Sequence, residues 1–258
     1  YAYVSLTVHT IKVGDTFTVY EYLNSAFTEM VHGTDFSVSA TNSGETLVYG
    51  EDYTYSQRTK VLNILSDKAI TIANADDVDE ADDRIFVADG VDADITLAGV
   101  YINVSSGAAF AIEGYGKGNV TVTLAKGSVN ILQSGEDFAG INKNNDESTL
   151  TITGEGSLTA QGGAYAPGTG AEEATSNITI KGGIITATGG DGGAGIGSGF
   201  EGINTTVEIN GEKVAQLMFV IGTNDGGGKH PNWKNNLKFA VKVQEKINTS
   251  KIARGTLP

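Results

Sequence analysis

Gly156-Ser157-Leu158-Thr159-Ala160-Gln161-Gly162-Gly163 returns almost at once as Gly183-Ile184-Ile185-Thr186-Ala187-Thr188-Gly189-Gly190. Looser copies come earlier, at Gly127-Ser128-Val129-Asn130-Ile131-Leu132 and Gly99-Val100-Tyr101-Ile102-Asn103-Val104. The leading glycines, at 99, 127, 156 and 183, stand 28, 29 and 27 residues apart. A near-constant period of this length, carried by short alternating strands, marks a stacked repeat. The repeat decides the fold.

Each period begins with a strand of the form Ile95-Thr96-Leu97, Val120-Thr121-Val122-Thr123-Leu124, Leu150-Thr151-Ile152-Thr153 or Ile178-Thr179-Ile180. A glycine turn follows, then a second strand. A third piece rich in small residues closes the period: Phe110-Ala111-Ile112, Phe138-Ala139-Gly140-Ile141, Tyr165-Ala166-Pro167-Gly168 and Ala194-Gly195-Ile196-Gly197. Three short strands per period are what one coil of a right-handed parallel β-helix requires. Alternate side chains point into the bore and stack on their equivalents one coil away. A single period cannot bury its own apolar face, so the stack folds as a unit. A propeller is a poorer fit, because each blade needs roughly 40 residues or more.

Composition agrees. The 258 residues include 35 glycines, three prolines and no cysteine, which suits tight solenoid turns and excludes disulfides and thiolate metal sites. No apolar run reaches membrane-spanning length. The net charge of −14 is unevenly placed: residues 206–258 carry eight Lys and Arg against four Asp and Glu, and the rest carries −18. An acidic body argues against nucleic acid as a partner, since phosphates would be repelled. The asymmetry suggests pieces of different origin. The sequence therefore divides into a β-rich N-terminal segment (1–47), the repeat domain (48–205) and a C-terminal appendage (206–258).

Before the repeats, Tyr1 to Thr10 alternates like a strand, while Val61–Leu65 and Ala69–Ile72 read as strands leading into the stack. Asp76, Asp77, Asp79, Glu80, Asp82 and Asp83 form an acidic run. Calcium would suit its carboxylates, but the spacing fits no EF-hand loop, and a solvated loop is the better expectation. Thr121/Thr123, Thr151/Thr153 and Thr186/Thr188 form Thr-x-Thr pairs. Threonine is simply a good strand residue, so these read as strand composition rather than as an ice-binding array.

Asn177-Ile178-Thr179-Ile180-Lys181-Gly182-Gly183, Thr186-Ala187-Thr188-Gly189-Gly190 and Gly193-Ala194-Gly195-Ile196-Gly197-Ser198-Gly199 resemble the glycine-rich carbohydrate-binding β-helix proteins of Gram-positive bacteria. The resemblance runs from about Val48 to Gly202. It implies a secreted, cell-surface or wall-attached protein that binds polysaccharide or cell-wall glycan; the expectation is a non-catalytic role with no cofactor. Aromatic rings would stack on sugars. Tyr101, Tyr115, Tyr165 and Phe200 are the candidates.

After Thr205 the text changes. Thr206 to Ala215 reads as a hairpin turning at Asn210-Gly211, and Gln216 to Ile221 as a strand. His230-Pro231 then opens a helix with Trp233, Leu237, Ala240, Val241 and Gln244 on one face. Phe219-Val220-Ile221-Gly222-Thr223, His230-Pro231-Asn232-Trp233 and Asn236-Leu237-Lys238-Phe239-Ala240 resemble the stage II sporulation protein P group of peptidoglycan hydrolases, over about Val207 to Arg254. That resemblance implies the alternative function, a zinc-dependent amidase or endopeptidase. His230 would be a site residue, with His9 in Val8-His9-Thr10 as an echo of the family's opening metal motif. A hydrolytic zinc needs three protein ligands and an open position. The chain has three histidines, His9, His32 and His230, and none where the family's middle histidine motif would fall.

Overall fold

The computed structural model describes residues 34–112, 118–143, 148–171, 176–191, 193–199, 206–220 and 238–240, with the backbone alone from 210 onward. Among these the protein is all-β, a parallel solenoid of about four turns. Two antiparallel pieces close its N-terminal end. β1 (Phe36–Ala40) runs antiparallel to β4 (Ile70–Asn74), and β2 (Tyr53–Ser56) makes a hairpin with β3 (Val61–Ile64). They occupy the outermost places in the two sheets, where exposed parallel edges would otherwise invite another chain.

From β5 (Arg84–Val87) the chain winds in coils of three strands. These are β6 (Ala93–Leu97), β7 (Tyr101–Asn103) and β8 (Phe110–Ile112); β9 (Val120–Leu124), β10 (Val129–Gln133) and β11 (Ile141–Lys143); β12 (Thr149–Gly154), β13 (Ser157–Gln161) and β14 (Thr169–Ala171). In the next coil the first two strands fuse into β15 (Asn177–Thr188), followed by β16 (Ile196–Ser198). Three parallel ladders result. The first stacks β4, β6, β9, β12 and the front of β15; the second stacks β7, β10, β13 and the back of β15. The third stacks β3, β5, β8, β11, β14 and β16.

Alternation sets which side chains enter the bore. In the first ladder Ile95, Val122, Ile152 and Ile180 form one inward column, and every one is fully buried. Each such side chain contributes about 1.5–3 kcal/mol relative to exposure. The corners need glycine for a different reason. Gly135, Gly163 and Gly190 pile up where the second ladder turns into the third. A Cβ on Gly163 would sit 2.0 Å from the Gly135 carbonyl oxygen, and one on Gly190 would sit 1.9 Å from that of Gly163. The coils touch backbone to backbone there.

The four repeat glycines all lead into second-ladder strands, but the register differs from their alignment. Gly156 and Gly183 do match, since Ser157 pairs with Ile184. Val129, however, pairs with Ser157, and Tyr101 with Ile131. The corner from the first to the second ladder is three residues longer after Leu124 than after Leu97, as Leu97 pairs with Leu124 but Tyr101 with Ile131. The slip of one residue exchanges the faces. Val129 is therefore 65% exposed, while Asn130 is fully buried.

The C-terminal expectations need correction. No hairpin forms at Asn210-Gly211. Thr206–Val220 is one strand, β17, parallel to β15 from Asn177↔Thr206 to Thr188↔Val220. Val207 and Ile209 fall in line with Ile178 and Ile180 and join the same core, which outweighs the local turn preference. Asn210-Gly211-Glu212 instead lies at a register shift, over the corner occupied by Lys181-Gly182 in the coil below. Lys238–Ala240 is a strand, β18, parallel to Thr206–Glu208, so the expected helix does not run through these residues. Its remaining residues lie outside the described ones.

Candidate functional site

Each ladder presents a different outer surface. The first carries columns of threonine: Thr71, Thr96, Thr123 and Thr153 in one, Thr121, Thr151 and Thr179 in the next. Thr186 and Thr188 belong to another face, so the Thr-x-Thr pairs do not form one array. In the third, every residue of β8, β11 and β14 is buried. The second ladder is the mixed one.

Three outward columns run up it. Val129, Ser157 and Ile184 register on one another, as do Tyr101, Ile131, Thr159 and Thr186. The third column is Asn103, Gln133, Gln161 and Thr188. Five large hydrophobics are exposed among the described residues, and four of them, Val129, Phe138, Tyr165 and Ile184, sit on this ladder or in the turns that close it. The apolar surface left outside the core is thus gathered beside a row of amides.

Of the aromatic candidates, Tyr101 and Tyr165 both belong here, on β7 and in the turn after β13. Tyr115 and Phe200 lie outside the described residues, as do His9 and His230. The Tyr101 phenol is hydrogen-bonded to the Glu80 carboxylate, which together with some burial holds its pKa above the ordinary value. Asn103 Nδ2 donates to Glu80 Oε1 at 3.0 Å. Glu80 therefore fixes the first members of two columns at one end of the face.

Tyr165 adopts φ 64°, left-handed backbone that costs a side-chain-bearing residue about 1–2 kcal/mol. Its ring is nonetheless 47% exposed. Asp137, in the equivalent turn one coil below, has φ 65°. Asp137 N–H donates to the Ala164 carbonyl, and Tyr165 N–H to that of Asp191. Two carboxylate-bearing residues thus flank Tyr165 from the coils on either side. Glu155 lies at a different corner, its N–H donating to the Leu124 carbonyl. The φ shared by Asp137 and Tyr165 makes this conformation a property of the turn, which holds the Tyr165 side chain outward.

The acidic run contributes a second cluster. Carboxylate oxygens of Asp35, Asp82 and Asp83 lie within 4.8 Å of one another, a donor set suited to a hard cation such as calcium. Much of its bonding capacity is already used within the protein. Asp35 N–H donates to Asp83 Oδ2 at 2.7 Å, Asp82 N–H to Asp35 Oδ2 at 2.9 Å, and the Tyr55 hydroxyl to Asp83 Oδ1 at 2.9 Å. Lys60 pairs with Asp82. Burial, and then the charges of Asp83 and Asp82, hold the Asp35 carboxyl above its usual pKa against the N–H donors of Asp82 and Asp83. The cluster acts as a clasp between the start of β1 and the loop before β5. An all-carboxylate set does not suit a hydrolytic zinc, and no described residue is a histidine.

The sequence points to single aromatics; the amide column and the places of Glu80, Phe138, Val129 and Ile184 on this face emerge only from the stacking. The signal was present in the last outward position of each second strand, in Ile102-Asn103, Leu132-Gln133, Ala160-Gln161 and Ala187-Thr188. The offset between the repeat glycines and the true register hides it.

Among protein families, the model for stage II sporulation protein P matches residues 200–251. That stretch includes all of β17, which pairs with β15 of the solenoid. No curated protein and no solved structure matches the chain. No helix among the described residues is long and apolar enough to cross a membrane.

Proposed function

We propose that the chain is a non-catalytic carbohydrate-binding β-solenoid of the cell surface or wall, and that the outer face of the second ladder is its binding surface. The observation that carries this reading is the gathering of exposed Val129, Phe138, Tyr165 and Ile184 beside Asn103, Gln133 and Gln161. Sugar recognition needs both chemistries: apolar or aromatic surface for the C–H face of the ring, and amides or carboxylates for the hydroxyls. The likeness of residues 200–251 to a sporulation protein makes bacterial wall glycan the first ligand to try. Co-sedimentation of the protein with insoluble wall and plant glycans tests the reading. Retention on at least one of them is expected, and uniform failure to bind removes the sugar claim while leaving the fold intact.

A second reading, a zinc-dependent peptidoglycan hydrolase, is favoured by the same match. It would rest on His230, with His9 contributing. The place of β17 in the solenoid ladder speaks for the binding role, because residues 206–220 of the matched stretch continue the stack. Zinc analysis of purified protein separates the two readings: stoichiometric metal supports the hydrolase.

A further inference from the structure

If the second-ladder face binds glycan, its register also selects the kind of glycan. We infer that the ligand is an extended, β-1,4-linked pyranose chain lying along the solenoid axis, with one sugar met by each coil. The inference rests on the binding role proposed above but makes a separate claim about linkage and direction.

The amides supply the first argument. Asn103, Gln133 and Gln161 are direct neighbours across the ladder, one per coil. Parallel strands stand about 4.8 Å apart, and an extended β-1,4-linked chain advances roughly 5 Å per sugar. The mismatch over three coils is small enough for flexible amide side chains to absorb. Each amide offers a carbonyl acceptor and an NH₂ donor, one N–H of Asn103 being given to Glu80. Successive sugars of a β-1,4-linked chain are turned by half a turn, so the row meets a pair of adjacent ring hydroxyls on every other sugar and the opposite ring edge between. A chain lying across the coils would meet one amide only.

The flanks supply the second. Tyr101 and Ile131 stand two residues before Asn103 and Gln133 on their strands, and the turns after Gln133 and Gln161 carry Phe138 and Tyr165. Gln133, at the centre of the row, is thus bordered on both sides, Asn103 by Tyr101 before it and Gln161 by Tyr165 after it, while Thr159 takes the fourth place. A ribbon-like chain keeps its rings in one such track. An α-1,4-linked chain curls into a helix and would leave it within a few sugars.

Titration with soluble β-1,4-linked glucose and N-acetylglucosamine oligomers of two to six sugars, and with α-1,4-linked glucose oligomers of the same lengths, tests the inference. Affinity should rise about tenfold or more from disaccharide to tetrasaccharide and then level off, with the α-linked series much weaker. Gln133→Ala, at the centre of the row, should flatten the length dependence, and Gln161→Ala should do so in part. Length-independent binding, or equal binding of both linkages, would overturn the axial track while leaving the face as a sugar site. Failure of every oligomer and polymer to bind would remove the proposed function and this inference together.

Discussion

Asn130, fully buried in β10, accepts the backbone N–H of Gly99 through its Oδ1 at 2.9 Å, one coil away. The same oxygen accepts from Val100 N–H at 3.0 Å. Its Nδ2 donates to Ser128 Oγ at 2.9 Å and to the Ser157 carbonyl at 3.0 Å on the following coil. One side chain thus satisfies corner backbone groups on the coils to either side and a serine hydroxyl on its own. Asn74 does a similar job one corner earlier, accepting from Tyr101 N–H at 3.0 Å and donating to its carbonyl at 3.2 Å.

Replacing Asn130 should therefore cost more than its size suggests. Asn130→Leu leaves the buried N–H of Val100 without an acceptor, at roughly 1–3 kcal/mol, and the half-buried N–H of Gly99 as well. Urea unfolding should show a lowered midpoint for this variant and a near-normal one for Val129→Thr, whose side chain faces solvent. Equal effects would mean that the register of β10 is wrong.

The glycine pile at the second corner allows a sharper test. In Gly163→Ala the new Cβ falls on the Gly135 backbone, which cannot move as a side-chain tip can. A loss of about 1–3 kcal/mol or more is expected. Gly127→Ala meets open space, but its φ of 74° still carries a strain of about 1 kcal/mol. Thermal unfolding should rank Gly163→Ala as clearly the worse of the two.

Tyr165 should show stability and binding moving in opposite directions. Tyr165→Gly relieves left-handed strain and should raise stability by up to about 1 kcal/mol, while removing the exposed ring from the binding face. Loss of stability together with unchanged glycan retention would assign the residue to packing.

Acid should act through Asp52, which is 4% exposed. Burial tends to raise its pKa, but hydrogen bonds from Lys68 Nζ (2.7 Å), Val48 N–H (2.6 Å) and Ser66 Oγ (2.8 Å) outweigh it and leave the group below the ordinary 3.8. A carboxyl whose pKa is depressed on folding stabilises the fold above the unfolded value and loses that contribution as pH falls through the folded value. Asp52→Asn should thus destabilise at pH 7 by roughly 1–3 kcal/mol. The gap from the parent should close in unfolding curves taken below pH 4, about the unfolded pKa. Asp35 has the opposite sign: its pKa is raised, so its charge costs stability at neutral pH and protonation relieves that cost.

Much of the fold is legible in the residues because a period-two pattern inside a repeat of 27 to 29 leaves few alternatives. Ile95-Thr96-Leu97 and its three equivalents are first-ladder strands as the alternation demands. Register was not legible, because it depends on corner length, and the corner after Leu124 is longer than the one after Leu97. Asn210-Gly211 misled for a related reason: its local preference is for a hairpin, and only the column of Ile178 and Ile180 beneath it shows that the strand belongs to the stack. The candidate site was half legible. Exposed aromatics can be guessed one at a time, whereas a row of amides exists only once the coils are stacked.

The central claim is that the second ladder, and not another face, carries the glycan contact. Retention on a bound glycan should be compared for the parent, a Gln133→Ala/Tyr165→Ala variant, and a Thr123→Ala/Thr151→Ala variant on the first ladder, with folding of each verified by circular dichroism. The account predicts that the second-ladder variant loses binding and the first-ladder variant retains it. Binding lost in the threonine variant but kept in the other would contradict it.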